Sequence, residues 1–208
     1  MRYAKINRDG DAVANFGGFV PLAHLLGGQN VNPELGGRYS DKQLYALALY
    51  LHALHLPANP NHENERTRRG SRVFVSEGCG NCHTAPLYTN NKLTPAAGFH
   101  VPEEHRRKYD ILPVVVGTDP EATMDTTRGT GYYKVPSVPG VWYRTPLGHS
   151  GWVSTLEEWF DPNRLNDNYV PSGFTRPGRA EGAVKGHEFG LNLSAEDKAA
   201  LIAFLRIL

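Results

Sequence analysis

Apolar residues recur at helical spacing in the last part of the chain. Ser194 is a residue type that caps helix starts, and Asp197 stands three positions after it, as the first turn of a helix favours. One face of the predicted helix carries apolar residues at positions i, i+3, i+4 and i+7, which are Leu201, Phe204, Leu205 and Leu208. This pattern predicts a helix that begins at Ser194.

Shorter patterns predict helices elsewhere. One begins at Ser40 and ends before Pro57, a second runs from about Thr67 to Glu77, and a third runs from Thr155 to Phe160. Few stretches alternate between apolar and polar residues, and prolines recur between positions 88 and 150. The fold class predicted is therefore all-α, with long irregular loops.

The polar sequence PANPNHENER separates two parts of the chain. Residues 1–59 are predicted to form a loop-rich N-terminal extension with one helix. Residues 60–208 are predicted to form the main domain, and the total length is sufficient for a substantial core.

Charge excludes some classes of partner. The 22 Lys and Arg residues nearly balance the 21 Asp and Glu residues, and no dense basic block is present, so we expect no nucleic-acid binding. No apolar run approaches the roughly 20 residues that a membrane-spanning helix needs, so we expect no direct membrane span.

The sequence CGNCH, from Cys79 to His83, carries the candidate chemistry. In a C-x-x-C-H motif the two thiols add to the vinyl groups of haem, and the adjacent histidine binds the iron. The motif predicts one covalent haem c, held by Cys79 and Cys82, with His83 as the first axial ligand.

Two other interpretations of the cysteines are less favoured. A structural zinc site commonly uses four Cys or His ligands, whereas this chain has two cysteines in total. A redox-active dithiol or a plain disulfide is the other alternative, but the βαβ pattern that accompanies thioredoxin-like motifs is not evident around residues 73–89.

The second axial ligand decides between electron transfer and catalysis, because an empty position admits peroxide or other small ligands. Met124 is the first candidate, in the loop ATMDTTRGTGYYKVP, and its alternative role is to fill a gap in the core. His149 and His105 are rivals, and an open iron is the remaining alternative.

A cluster of aromatic and basic residues between positions 128 and 144 is predicted either to line the haem and bind its propionates or to pack as an ordinary loop. Its members are Arg128, Tyr132, Tyr133, Lys134, Trp142, Tyr143 and Arg144.

Two segments, CGNCHTAPLYTNNKLTPAAGF and GTGYYKVPSVPGVWYRTPLGHSGWVSTLEEWFDP, resemble the C-terminal haem domain of the bacterial di-haem cytochrome c peroxidase family, over roughly residues 67–208. The resemblance implies a cytochrome c-like helical domain whose loops wrap one haem, and it transfers the haem roles of Cys79, Cys82 and His83. That family has two haem motifs, whereas this chain has one. Its peroxidases have a methionine near the TLEEW-like helix, where this chain reads FDPNRL, so any axial methionine here is Met124.

The sequence favours an electron-transfer domain with a six-coordinate iron. The alternatives are a haem enzyme of the peroxidase or oxygenase type, with an open iron, and a structural or docking module. We expect a redox partner protein, or other haem subunits of a larger assembly.

Haem attachment takes place outside the cytoplasm, which implies a periplasmic or extracytoplasmic location. Since MRYAKINRDG lacks signal-peptide features, we expect a processed chain or a piece of a longer one.

Overall fold

A computed structural model describes residues 5–6, 12–13, 41–54, 57–118, 120–124, 130–148, 150–174 and 182–208. The chain divides into two compact units, Met1–Ala58 and Asn59–Leu208. In the first unit, the strands β1 (Lys5–Ile6) and β2 (Ala12–Val13) pair antiparallel, and the helix α1 (Asp41–Ala53) follows them. Helix α1 lies where a helix was predicted, although its predicted cap, Ser40, is outside the described residues.

The second unit contains helices joined by long loops. Its helices are α2 (Glu65–Ser76), α3 (Glu103–Lys108), α4 (Glu121–Met124), α5 (Leu156–Trp159) and α6 (Ala195–Ile207). Helices α2, α5 and α6 overlap the three segments predicted to be helical here, and α2 begins two residues before its predicted start, at Glu65. Among the described residues, 3₁₀ turns are present at Cys79–Asn81 and Pro162–Leu165, and the strands β3 (Leu93–Pro95) and β4 (Tyr132–Lys134) pair antiparallel.

No helix in the described part of the chain has both the length and the apolar character needed to cross a lipid bilayer.

Helices α2 and α6 cross at a glycine. Asn64 caps α2 by accepting a hydrogen bond from the Thr67 backbone N–H at 3.1 Å. Three residues later, Gly70 is buried, and a Cβ at that position would overlap the Ala200 carbonyl and lie 2.7 Å from Phe204 Cβ. Because only hydrogen occupies that space, the two helix backbones approach closely.

The core of the second unit extends from this crossing to the CGNCH turn. The Phe74 ring is 5.4 Å from that of Phe204 and 5.9 Å from that of Tyr88, both in edge-to-face geometry. Cys79 packs against the same cluster, whose buried members are Val73, Phe74, Leu156, Phe160, Leu201, Ile202, Phe204 and Leu205. Packing therefore fixes the start of the CGNCH turn on the helix crossing.

Candidate functional site

The CGNCH segment begins immediately after α2. Gly78 has φ 72°, a left-handed conformation that glycine adopts without strain, and it ends the helical path of the chain. The backbone N–H groups of Cys82 and His83 then both donate to the Cys79 carbonyl, at 3.2 and 2.8 Å. These bonds hold Cys79, Cys82 and His83 on one tight turn.

Both cysteines are free thiols. Burial, with a smaller contribution from Glu77, raises the pKa of Cys79 to about 11. Burial also raises the pKa of Cys82. Thiol–disulfide exchange requires a thiolate, so these protonated thiols do not fit the dithiol interpretation. They do suit thioether formation, in which the S–H adds across a vinyl double bond and the sulfur bonds to one carbon while hydrogen goes to the other.

His83 is held as a neutral imidazole with one nitrogen engaged. Its Nδ1 donates to the carbonyl oxygens of Tyr88 and Pro136, at 3.1 and 3.2 Å. Burial lowers the pKa of His83, and these two carbonyls oppose that effect. An N–H bonded to backbone carbonyls fixes the tautomer and leaves the Nε2 lone pair for a metal, as in metal-ligating histidines generally.

A second histidine lies beside His83. The ring centroids of His83 and His187 are 6.2 Å apart, and the ring planes are inclined at 56°. Burial, with a smaller contribution from the neighbouring His83, lowers the pKa of His187 to about 4. The Nδ1 atom of His187 is buried and has no hydrogen-bond partner among the described residues. Such an atom is costly in a protein interior unless something binds the ring.

The spacing of these rings fits one metal ion between them. Imidazole nitrogens bind metal ions at about 2 Å, so two imidazoles on opposite sides of one ion have ring centroids about 6 Å apart. His83 and His187 have 6.2 Å between centroids, and both are neutral, which is the form that binds metals. The residues present therefore fit the iron of a haem attached at Cys79 and Cys82.

Aromatic side chains surround the second histidine. The rings of Trp159 and Phe189 each lie 5.3 Å from the His187 ring, between centroids. The sequence interpretation did not include His187. Its only local signal is GHEFG, in which glycines flank a histidine and an aromatic residue shortly before α6.

The second-ligand candidates predicted from sequence are Met124, His105 and His149. Met124 ends α4 with 41% of its surface exposed, and its role as a ligand stays a prediction. His105 lies on α3, where its Nδ1 is 3.0 Å from the Tyr132 hydroxyl. His149 is outside the described residues. Among the described residues, the histidine ring that packs near His83 is that of His187.

Part of the predicted basic and aromatic cluster lies near His83. Arg144 donates from Nη2 to the Ser137 carbonyl at 2.7 Å, and Ser137 follows Pro136, whose carbonyl accepts from His83. In the described part of the chain the buried Arg144 Nε has no hydrogen-bond partner, and burial lowers the pKa of this guanidinium. A half-buried cation whose Nε donor is free for a ligand suits an anionic group such as a haem propionate.

The predicted cluster also includes Lys134, Trp142, Tyr143 and Arg128. Burial lowers the pKa of Lys134 to about 8. The rings of Trp142 and Tyr143 lie 5.0 Å apart, and Arg128 is outside the described residues.

A zinc centre finds no support in the described part of the chain. No group of three or more His, Cys, Asp or Glu residues comes together there in a way that could hold a metal ion. His83 and His187 offer two imidazoles, which is fewer than a structural zinc site requires but enough for a haem, whose ring would bring its own nitrogens.

Comparison with known proteins gives only weak similarity. No protein-family model matches the chain, and no curated protein matches it. A solved structure, described as a MauG-like protein associated with microbial copper homeostasis, is 17% identical over 85% of this chain, with a TM-score of 0.48. The chain covers 59% of that protein. At this level the similarity establishes neither a family nor an activity for this chain.

Proposed function

We propose that this chain is a c-type cytochrome domain that binds one covalent haem c and transfers electrons. The observation that supports it best is the pair of neutral imidazoles, His83 and His187, 6.2 Å apart beside the CGNCH turn. Cys79 and Cys82 would hold the haem through thioethers. The haem would supply reversible one-electron chemistry at its iron.

The two histidines determine the type of chemistry. His83 and His187 would together hold the iron of the bound haem, and a second protein ligand would leave no site for peroxide or carbon monoxide. His83 is fixed by the CGNCH turn and by its bonds to Tyr88 and Pro136, so its position need not change with the redox state. This arrangement favours electron transfer over the alternative of a peroxidase- or oxygenase-type enzyme.

The fold, the related family and the cellular location are proposed on other observations. The close crossing of α2 and α6 at Gly70 supports a cytochrome c-like helical fold. Together with the two sequence segments, it supports a relationship to the C-terminal haem domain of di-haem cytochrome c peroxidases. We assign an extracytoplasmic location on the chemistry of haem attachment, and a redox partner protein or other haem subunits as the source and destination of electrons.

A redox titration of the purified full chain, followed by optical spectroscopy, tests the proposed function. We expect one reversible one-electron transition and a ferrous spectrum that carbon monoxide leaves unchanged, because both axial positions are filled. The ferrous spectrum recorded without the gas is the reference. A spectrum that changes with carbon monoxide, or turnover of hydrogen peroxide with an electron donor, would overturn electron transfer in favour of the enzyme.

A further inference from the structure

A fully buried arginine lies behind His187. Arg164, in the 3₁₀ turn Pro162–Leu165, has 0% of its surface exposed. Burying a cation is costly unless hydrogen bonds compensate it. Among the described residues no carboxylate forms an ion pair with Arg164, so backbone carbonyls provide its compensation.

These carbonyls belong mainly to the segment that carries His187. The Nη2 atom of Arg164 donates to the Gly186 carbonyl at 2.8 Å and to the His187 carbonyl at 2.9 Å. Its Nη1 donates to the Val184 carbonyl, and its Nε donates to the Trp159 carbonyl at 2.8 Å. Three of these four acceptors therefore lie between Val184 and His187.

Arg164 also contacts Trp159, whose ring lies beside the His187 imidazole. Its guanidinium carbon lies 5.1 Å from the centre of the Trp159 ring, within cation–π range. The Trp159 ring is in turn 5.3 Å from the His187 ring. One side chain thus touches the backbone of His187 and the aromatic neighbour of its imidazole.

The His187 segment needs such support because of its backbone conformation. His187 has φ 47°, in the left-handed region that is unfavourable for residues with a Cβ. The preceding Gly186 has φ 81° and lies so close to Gly117 and Thr118 that a Cβ would overlap their backbone. The His187 N–H donates to the Val116 carbonyl at 2.7 Å, which leaves the carbonyl side of the segment to Arg164.

We propose that Arg164 is the positioning residue that presents His187 to the haem iron. This inference rests on the proposed function, in which His187 is the second axial ligand. The planar guanidinium donates to several carbonyls from fixed directions, which neither lysine nor glutamine reproduces. Without it, the His187 segment loses the bonds that stabilise its left-handed conformation, and the imidazole leaves the iron in part of the molecules.

The test is R164Q in the full haem-bearing chain. We expect the variant to keep its covalent haem but to show a high-spin ferric fraction. Its ferrous form should bind carbon monoxide with a roughly tenfold or greater gain in apparent affinity, because that affinity scales with the fraction of open iron. Added imidazole should restore the low-spin spectrum. A purely structural role would lower the unfolding temperature and leave the spectrum of the folded protein unchanged, which would overturn the inference.

The matched control is R206Q. Arg206 forms an ion pair with Glu157 at 2.7 Å, and neither side chain is buried, so its loss should leave the spectrum unchanged. Should R164Q fail to accumulate, R164K replaces it: lysine keeps the charge but cannot serve four carbonyls. We then expect an intermediate high-spin fraction, and a wild-type spectrum in R164K would contradict the positioning role.

The variant His187→Ala distinguishes the ligand role of His187 from the positioning role of Arg164. If it keeps the wild-type spectrum, His187 is no ligand and the proposed pairing fails. If it opens the iron while R164Q and R164K do not, the pairing stands and the role of Arg164 fails.

Discussion

The variant His187→Ala is expected to retain its covalent haem and to change from an iron closed to carbon monoxide to one that binds it. His83 remains in place, because its position depends on the CGNCH turn and on the carbonyls of Tyr88 and Pro136. Alanine has no atom that can bind iron, so one axial position opens. An open fraction that rises from about 1% to nearly all molecules corresponds to a roughly hundredfold gain in apparent affinity for carbon monoxide. Optical titration of the ferrous protein measures this gain.

The matched control for this experiment is Met124→Ala, which removes the ligand predicted from the sequence. Met124 is 41% exposed at the end of α4, so we expect the variant to keep the wild-type spectrum. Exogenous imidazole should restore the low-spin form of the His187 variant, since its loss leaves space beside Trp159 and Phe189. The opposite pattern, an altered Met124 variant and an unaltered His187 variant, would establish methionine ligation instead.

The double variant Cys79→Ser, Cys82→Ser is expected to lose all covalent haem. A hydroxyl group does not replace a thiol in forming thioethers with haem, so no attachment remains after denaturation. Haem staining of a denaturing gel measures the result directly. The single variant Cys82→Ser keeps the Cys79 thiol and should show partial attachment.

A substitution in the same turn serves as control for the cysteine variants. Asn81 is exposed between the two cysteines, so Asn81→Ala changes the turn without removing a sulfur. We expect it to stain for haem like the wild type. Haem that stays on the double serine variant through denaturation would show that the attachment does not use these thiols.

Local patterns were sufficient for the features that lie within one segment. The spacing of Leu201, Phe204 and Leu205 after Ser194 locates α6, since a helix face repeats every three or four residues. The CGNCH motif locates the thiols and His83 within five consecutive positions. The strands β3 and β4 have three residues each, too few to produce a recognisable alternation.

The partner of His83 could not be found in the same way. His187 is far from the motif in sequence, and its position depends on a left-handed backbone held by Arg164. Neither feature has a periodic signal. The prediction centred on Met124 because it is the only methionine besides Met1, and the FDPNRL segment lacks the methionine that the resembled family has there. In the structure that segment supplies Arg164, which donates hydrogen bonds to the backbone around His187.

We propose above that His83 and His187 bind the same iron. The most direct test is near-infrared magnetic circular dichroism of the ferric full chain, in which the charge-transfer band of low-spin haem depends on the two axial ligands. Ligation by both histidines predicts the band of a bis-histidine haem, which should disappear when His187 is replaced. A band of histidine–methionine ligation, or a high-spin spectrum in the wild-type protein, would contradict it.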